Sequence, residues 1–510
     1  MNAANPDAIE LAPLPMPRAF ESDMDRPVPF DAATMVAVDC PDAEAAPWLS
    51  RYFAEWFGVQ APQVVAASFR LVGAALQDQS LSTFNFQLST SPEAYAASAD
   101  AAGVRIAARS LAGVRWAAYS LRQLAIARRG TMKTEGRLLP ALSITDAPLL
   151  PFRGIHLCWF PETRAEQVER AIRLAALLKF NYAVLEPWGV FASERHPWFG
   201  WPDKPATKAE IARLAGVGRD LGVTLVPQFN VFGHASSART CTLKHATLDL
   251  NPEYEPLFEP GGWNWCLSNP ETQRVLRDLI DELLEAFGRP PFFHLGCDEA
   301  QPPSCPECRK RPYGELVGEH IAGLAAFVRE RGARAMIWHD MLLDRADPRW
   351  EGFVRCGSPL TATLADTLPK DVIVCDWQYS YGDMKETRAD WPTMAHFAGK
   401  GFPVVGCPWL NFNAMKPMAD FLAKIGGFGL LETTWHHLRG GEWAKMFRCA
   451  ASAAWGTPTR DERGDSPTPQ FDTEFATLLR LVGRDMGVSD YLDAGTLNYQ
   501  IPPSWFAGND

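Results

Sequence analysis

The chain has 510 residues, 47% apolar and 21% charged, which is enough to bury a large core, implies two or more domains and excludes a disordered polymer. A net charge of −11 without a Lys/Arg-rich run excludes the electrostatic footprint of a nucleic-acid binder and favours a neutral or weakly charged partner. No apolar run approaches the roughly 18 residues of a bilayer span, and eleven scattered cysteines, an odd number, argue against a disulfide framework.

Residues 1–30 hold six prolines and several acids without periodicity, and read as a floppy or contact-ordered leader. A basic segment followed by an apolar stretch is missing there, so a cytoplasmic location is expected. From 31 to 148, alternating segments (Met35 to Val38, Phe84 to Leu88, Val104 to Ala107) precede a helical pattern from Leu111 to Ile126, the pattern of a small α/β domain.

From 149 to 456 the rhythm changes to short apolar runs, each followed by a helix-length amphipathic stretch. The runs are Phe152 to Cys158, Tyr182 to Glu186, Thr224 to Phe229, Phe292 to Gly296, Ala335 to Trp338, Val372 to Cys375, Val404 to Cys407 and Phe428 to Leu431. The clearest helices are Arg164 to Leu178, Lys208 to Leu221, Thr272 to Phe287 and Leu316 to Arg331. Eight such units predict an α/β chain with a (β/α)8 TIM barrel, whose chemistry belongs at the C-terminal strand ends. Residues 457–510 read as a polar loop and a helix that either packs on the barrel or makes a homodimer contact.

The strongest local signal is Phe292-Phe293-His294-Leu295-Gly296-Cys297-Asp298-Glu299, an apolar strand ending in two carboxylates. Alternation gives His294, Gly296 and Asp298 the barrel-interior parity, and Glu299 joins them only if the chain turns on leaving the sheet. An Asp-Glu pair ordinarily caps a helix, but the Pro-rich Gln301-Pro302-Pro303 that follows is a loop. Two adjacent acids in an aromatic pocket cannot both ionise freely, so one of them is expected to titrate upward and serve as a proton donor. Other strand ends carry Gly233-His234, Trp338-His339-Asp340, Asp376-Trp377-Gln378-Tyr379, Pro408-Trp409 and Trp435-His436-His437. One such Trp is packing; four on one barrel face suggest a sugar-sized aromatic box.

Phe152-Arg153-Gly154, Gly233-His234, His294-x-Gly-x-Asp298-Glu299 and Trp435 together resemble the family 20 glycoside hydrolases, the β-N-acetylhexosaminidases. Gly296-Cys297 before the acids, Cys266-Leu267-Ser268-Asn269-Pro270 and Trp338-His339-Asp340-Met341 look closest to the hexosaminidase D branch. The resemblance implies removal of terminal β-linked N-acetylhexosamine, with retention, by attack of the substrate's own acetamido oxygen. It implies Glu299 as general acid and base, and Asp298 as the group polarising the acetamido nitrogen. Arg153 would grip sugar hydroxyls and His234 would support the acid. Trp338, Trp409 and Trp435 would wall the pocket, with Asp340, Trp377 and His437 also lining it; Tyr379 or Tyr381 would donate to the acetamido oxygen. Leu185-Glu186-Pro187-Trp188 departs from the family pattern, and Glu186 is the candidate replacement support for the acid. The departure at His436-His437 leaves N-acetylglucosamine against N-acetylgalactosamine open, with a lean to the latter.

No cofactor or metal is expected. Cys305-Pro306-Glu307-Cys308 has the spacing of half a zinc knuckle, but no second Cys/His pair stands at a suitable distance along the sequence. His156, His234, His294 and Asp340 admit a metal-dependent hydrolase barrel, against which the lack of a His-x-His pair on the first strand counts. A glycan-binding protein that has lost turnover is the remaining alternative, and the retained acid pair argues against it.

Overall fold

The computed structural model describes residues 13–67, 88–129, 138–161, 163–203, 206–236, 247–379, 390–435, 438 and 442–456. The chain divides into two compact units, the first running to Leu149 and including Lys179 and Trp455, the second formed by the rest of the chain from Leu150 to Ala453.

The first unit is a six-stranded mixed sheet with two helices. In chain order it has β1 (Ala19–Pro29), β2 (Met35–Asp39), α1 (Ala45–Phe57), β3 (Gln63–Ala66), β4 (Tyr95–Asp100), β5 (Gly103–Ala108), α2 (Leu111–Arg129) and β6 (Leu138–Asp146). The strands lie in the order β1-β6-β4-β5-β2-β3. The leader expectation fails from Ala19 onward, because β1 pairs antiparallel with β6 from Ala19↔Thr145 to Pro29↔Leu138. Its prolines are tolerated because β1 is an edge strand. The strand expected at Phe84 to Leu88 lies almost wholly outside the described residues.

The second unit contains β7 (Phe152–Trp159), α3 (Ala165–Leu177), β8 (Tyr182–Pro187), α4 (Lys208–Leu221), β9 (Thr224–Pro227), α5 (Thr247–Leu250), α6 (Pro270–Ala286), β10 (Phe292–His294), α7 (Tyr313–Glu330) and β11 (Arg334–Trp338). It continues with α8 (Pro359–Ala362), α9 (Leu364–Thr367), β12 (Ile373–Trp377), α10 (Pro392–Gly399), β13 (Val404–Cys407), α11 (Phe412–Ile425), β14 (Gly429–Glu432) and α12 (Glu442–Trp455). The eight strands are parallel, in the order β10-β11-β12-β13-β14-β7-β8-β9. A parallel bridge between Gln228 and His294 joins the last strand to the first, so the sheet closes into a barrel.

Local sequence sets the helix ends. Thr207 and Glu210 form a reciprocal capping box on α4, and Gly222 ends it in the left-handed conformation. Asn269 accepts the Glu271 N–H ahead of Pro270 to start α6, whose Val275, Leu276, Leu279, Ile280 and Leu283 bury one stripe. Inside the barrel, Phe152, Tyr182, Phe292 and Phe428 stack at the N-terminal end, with ring centroids 4.6 to 6.0 Å apart. This aromatic floor leaves the polar interior residues to the opposite, C-terminal end. No described helix is long and apolar enough to cross a membrane.

Candidate active site

Strand β10 stops at His294, and the next residues turn sharply: Gly296, Cys297 and Glu299 all have positive φ, at +68°, +74° and +48°. Glycine at 296 is required twice over, since a Cβ there would lie 1.8 Å from the Asn230 Oδ1 as well as on a left-handed backbone. Gly233 is required by a close approach, because its Cβ would meet the Asp298 carbonyl at 2.2 Å. The two motif glycines thus let the strand ends after β9 and β10 touch, which brings His234 to the acids. His234 Nε2 lies 3.4 Å from Asp298 Oδ2 and 3.3 Å from Glu299 Oε2. His234 and Trp435 also have positive φ, at +55° and +46°, so the strained backbone gathers at this end of the barrel.

Asp298 is 7% exposed, whereas the Glu299 side chain is 40% exposed. Behind them Asp340 is fully buried; its Oδ2 accepts the Glu299 N–H at 2.9 Å and its Oδ1 accepts the Trp377 indole N–H at 3.3 Å. Burial, and then the Asp298 charge, push Asp340 up to about 8. The aspartate behind the adjacent acids is thus itself raised. Trp263, unnoticed in the sequence, donates to the Glu299 carbonyl at 2.8 Å and sets its ring 4.4 Å from that of His234. Asn264 ties the same turn by exchanging two hydrogen bonds with Gln301, at 2.6 and 3.1 Å.

The aromatic residues meet around this corner. Trp338 is buried, with its ring 4.2 Å from His294 and 6.1 Å from Trp435. Its indole N–H is buried without an acceptor among the described residues, a place for a ligand oxygen. Trp377 stacks on Tyr379 at 5.0 Å, Tyr379 meets Trp409 edge-on at 5.3 Å, and Trp435 donates to the Tyr379 hydroxyl at 2.9 Å. Trp409 is fixed by its hydrogen bond to the Thr434 carbonyl at 2.8 Å. Burial holds the Tyr379 hydroxyl well above its usual range, so it keeps its proton. Tyr381 and His437 lie outside the described residues.

Two of the expected site residues have hydrogen-bond partners away from the acid pair. Arg153 starts β7 with the parity opposite to the interior residues Phe152 and Cys158, and its guanidinium donates down to the carbonyls of Leu150 (3.0 Å) and Pro151 (3.5 Å). It belongs to the helix-facing side at the strand's beginning, because alternation sends neighbouring residues to opposite faces. Glu186 is shared between His156 Nε2 at 3.2 Å and the Asn230 amide at 3.2 Å, a pairing that fixes the barrel interior. His234, Asp340 and Trp263 each contact the acid pair or its backbone directly. A signal for Trp263 was present in Gly261-Gly262-Trp263-Asn264-Trp265, an aromatic segment after a paired-glycine turn.

A cleft beside Glu299, about 370 Å³, is lined by Trp263, Gln301, Met341, Arg345, Cys356 and Ser358, leaving room for a group attached on the outer side of the acid.

Two family models match the chain: glycosyl hydrolase family 20 domain 2 over residues 13–147, and the family 20 catalytic domain over residues 204–419. The chain is 26% identical over 214 residues to a chitooligosaccharidolytic β-N-acetylglucosaminidase of Ostrinia furnacalis, covering 39% of this chain and 35% of that protein. It is 24% identical over 329 residues to a β-hexosaminidase of Vibrio furnissii, covering 58% of this chain and 49% of that one. It therefore spans a third to a half of the length of these curated relatives. Among solved structures, the β-N-acetylhexosaminidase of Bacteroides fragilis shares the fold with a TM-score of 0.65 and 18% identity, over 98% of this chain and 99% of that one. Two models of one family match the small sheet domain and the stretch of the barrel, residues 204–419, that carries the acid pair, and the chain belongs to glycosyl hydrolase family 20.

Proposed function

We propose that this protein is an exo-acting β-N-acetylhexosaminidase that cleaves terminal β-linked N-acetylglucosamine or N-acetylgalactosamine from glycans, with the substrate's acetamido oxygen as nucleophile. One observation carries the reading: Asp298 Oδ2 and Glu299 Oε2 both lie against the same His234 nitrogen, at 3.4 and 3.3 Å. Two carboxylates that flank a sugar from opposite faces act as acid and nucleophile, or acid and base. Two that converge on one nitrogen stand on the same side, which leaves the nucleophile to the substrate. Glu299, the more exposed of the two, then protonates the leaving oxygen and afterwards takes a proton from water. Asp298 accepts the acetamido N–H and stabilises the positive charge that develops on the ring formed by the acetamido group. Tyr379, whose oxygen already accepts from Trp435, donates its proton to the acetamido oxygen. His234 holds both carboxylates in register. Trp338, Trp409 and Trp435 enclose the sugar.

The insect and bacterial relatives support the sugar class, since they are named for N-acetylglucosamine and hexosamine release. The lean toward N-acetylgalactosamine rests on the His436-His437 departure alone. The test is release of nitrophenol from β-linked nitrophenyl N-acetylglucosamine and N-acetylgalactosamine, beside the same sugars carrying a hydroxyl or a free amine at C2. Turnover confined to the acetamido sugars is the expected result. Equal turnover of sugars without the acetamido group contradicts substrate assistance, and binding without turnover of any of them returns the glycan-binding alternative.

A further inference from the structure

The Cys305-x-x-Cys308 half knuckle lacks a matching Cys/His pair in the sequence, yet the fold supplies two more ligand atoms from a segment that ends 39 residues upstream. Glu259 and Cys266 bracket a short hairpin closed by the antiparallel bridge Phe258↔Trp265 and by the Glu259 N–H to Asn264 carbonyl bond at 2.9 Å. The carboxylate of Glu259 and the sulfurs of Cys266, Cys305 and Cys308 all lie within 4.8 Å of one another. Cys266 Sγ is 3.8 Å from Cys305 Sγ and 3.7 Å from Cys308 Sγ.

Those spacings are the ones a tetrahedral ion imposes. With zinc–sulfur bonds of about 2.3 Å, two thiolates at the tetrahedral angle stand roughly 3.8 Å apart. A disulfide needs about 2.05 Å between the sulfurs, so the three thiols are held near one another without any pair being bonded, and all the described cysteines are free. The Cys308 N–H points at Cys305 Sγ from 3.3 Å.

Glu259 gives a second, independent observation. Its Oε2 is pinned by the N–H groups of Ser304 and Cys305, both at 2.7 Å, and by the Ser304 hydroxyl at 3.4 Å. Its Oε1 is buried and has no nitrogen or hydroxyl donor among the described residues, and the carboxylate faces the thiols of Cys308 and Cys305. A buried carboxylate oxygen whose nearest groups are weakly donating thiols is costly to keep unless a cation takes it. An open cleft lined by Pro256, Phe258, Cys266 and Cys305 gives an ion a path from solvent.

We propose that Glu259, Cys266, Cys305 and Cys308 bind one zinc ion, which clamps the Phe258–Trp265 hairpin to the loop that follows Glu299. Three soft thiolates and one oxygen in a tetrahedral arrangement select zinc over magnesium or calcium, which take oxygen ligands in larger numbers. Four protein ligands close the shell, as in structural sites, and no member of Asp298, Glu299 and Asp340 is among them. The consequence for the site runs through Trp263 and Asn264, which lie between Glu259 and Cys266 and hold the carbonyls of Glu299 and Gln301. The ion would thus position the acid without touching substrate.

The inference is independent of the proposed hydrolysis, because its first readout is metal content. The full chain is incubated with zinc and a thiol reductant, desalted, and assayed for bound metal by mass spectrometry. About one zinc per chain is expected for a closed four-ligand site, and close to none for a Cys305→Ser/Cys308→Ser variant. Cobalt put in place of zinc in the wild type should give the intense visible bands of a tetrahedral thiolate site. A strong chelator applied with a thiol-modifying reagent should lower Tm in wild type and leave it unmoved in the variant. If activity is present, metal loss should lower kcat more than it raises KM and leave measurable turnover, which separates a positioning ion from a catalytic one. Zinc below about a tenth of an equivalent after reconstitution overturns the proposal, given the tight binding of such sites. So does a Cys305–Cys308 disulfide found by mass in protein purified under reducing conditions.

Discussion

Asp146 in the first unit and Asp340 in the barrel are both buried aspartates, and their surroundings are opposite. Asp146 is ringed by donors: the Tyr95 hydroxyl at 2.9 Å, Lys179 Nζ at 3.1 Å, the Trp455 indole at 2.8 Å and the backbone N–H groups of Ala147 and Arg18 at 3.0 and 3.2 Å. Lys179 in turn donates to Tyr95, at 2.9 Å. Asp340 has two N–H donors, the charges of Asp298 and Glu299 pressing on it, and no lysine or arginine paired with it among the described residues. A buried charge supplied with a cation and a full set of donors is a piece of architecture. Carboxylates crowded together without a cation, on a strained strand end, hold a proton that chemistry can use.

The contrast can be broken at either end. Lys179→Met leaves the Asp146 carboxylate buried and unpaired, and should reduce unfolding free energy by about 3–5 kcal/mol. Replacing both partners, Lys179→Met with Asp146→Asn, should recover much of that loss, because the uncompensated charge is gone. Denaturant unfolding of the single and double variants checks this; a double variant as unstable as the single one would mean that the pair matters for its packing and not for its charge.

At the barrel end the signature is in the pH dependence. The Asp340 carboxyl is raised from 3.8 to about 8 in the folded chain, so between those values the folded state holds a proton that the unfolded state releases. Its stabilising contribution is complete below the lower value and is lost as pH rises through the upper one. The stability difference between wild type and Asp340→Asn should therefore shift against wild type as pH goes from about 4 to about 8. Thermal unfolding of both proteins across that range measures it, and parallel curves would remove the raised acid from the account. The smallest effect concerns Trp263→Phe, which deletes the hydrogen bond to the Glu299 carbonyl while keeping a ring beside His234. One such bond is worth roughly 0.5–1.5 kcal/mol, so kcat should fall by up to about tenfold with Tm nearly unchanged.

Much of the fold could be read in the residues because the barrel repeats one simple pattern, short apolar runs separated by amphipathic helices, eight times over. Each of those runs overlaps a strand, from Phe152–Trp159 to Gly429–Glu432. The acid pair was legible for a related reason: two carboxylates at the end of the Phe292-Phe293 run fit no core. The contacts of Arg153 with the Leu150 and Pro151 carbonyls could not be read from the sequence, because proximity to a strand end says nothing about which end. The pairing of Glu186 with His156 and Asn230 could not be read either, because a strand-end acid has several neighbours within reach. Glu259 carried no local signal, and the motifs around Trp263 and Cys266 did not say what those side chains would meet. Their partners come from the loop after Glu299, and a carboxylate completing a set of three cysteines has no recognisable spacing. The edge strand Ala19–Pro29 was obscured by its prolines, which are allowed there only because one side of the strand carries no ladder.

The most direct measurement of the central claim is kcat/KM of Glu299→Gln on β-linked nitrophenyl N-acetylhexosaminides, taken together with its Tm. Removing a general acid that is half-exposed and takes no part in the packed core should lower kcat/KM by about 10²–10⁴-fold while Tm stays close to that of wild type. Wild-type turnover in a folded Glu299→Gln protein would contradict the assignment of this corner of the barrel as the catalytic site.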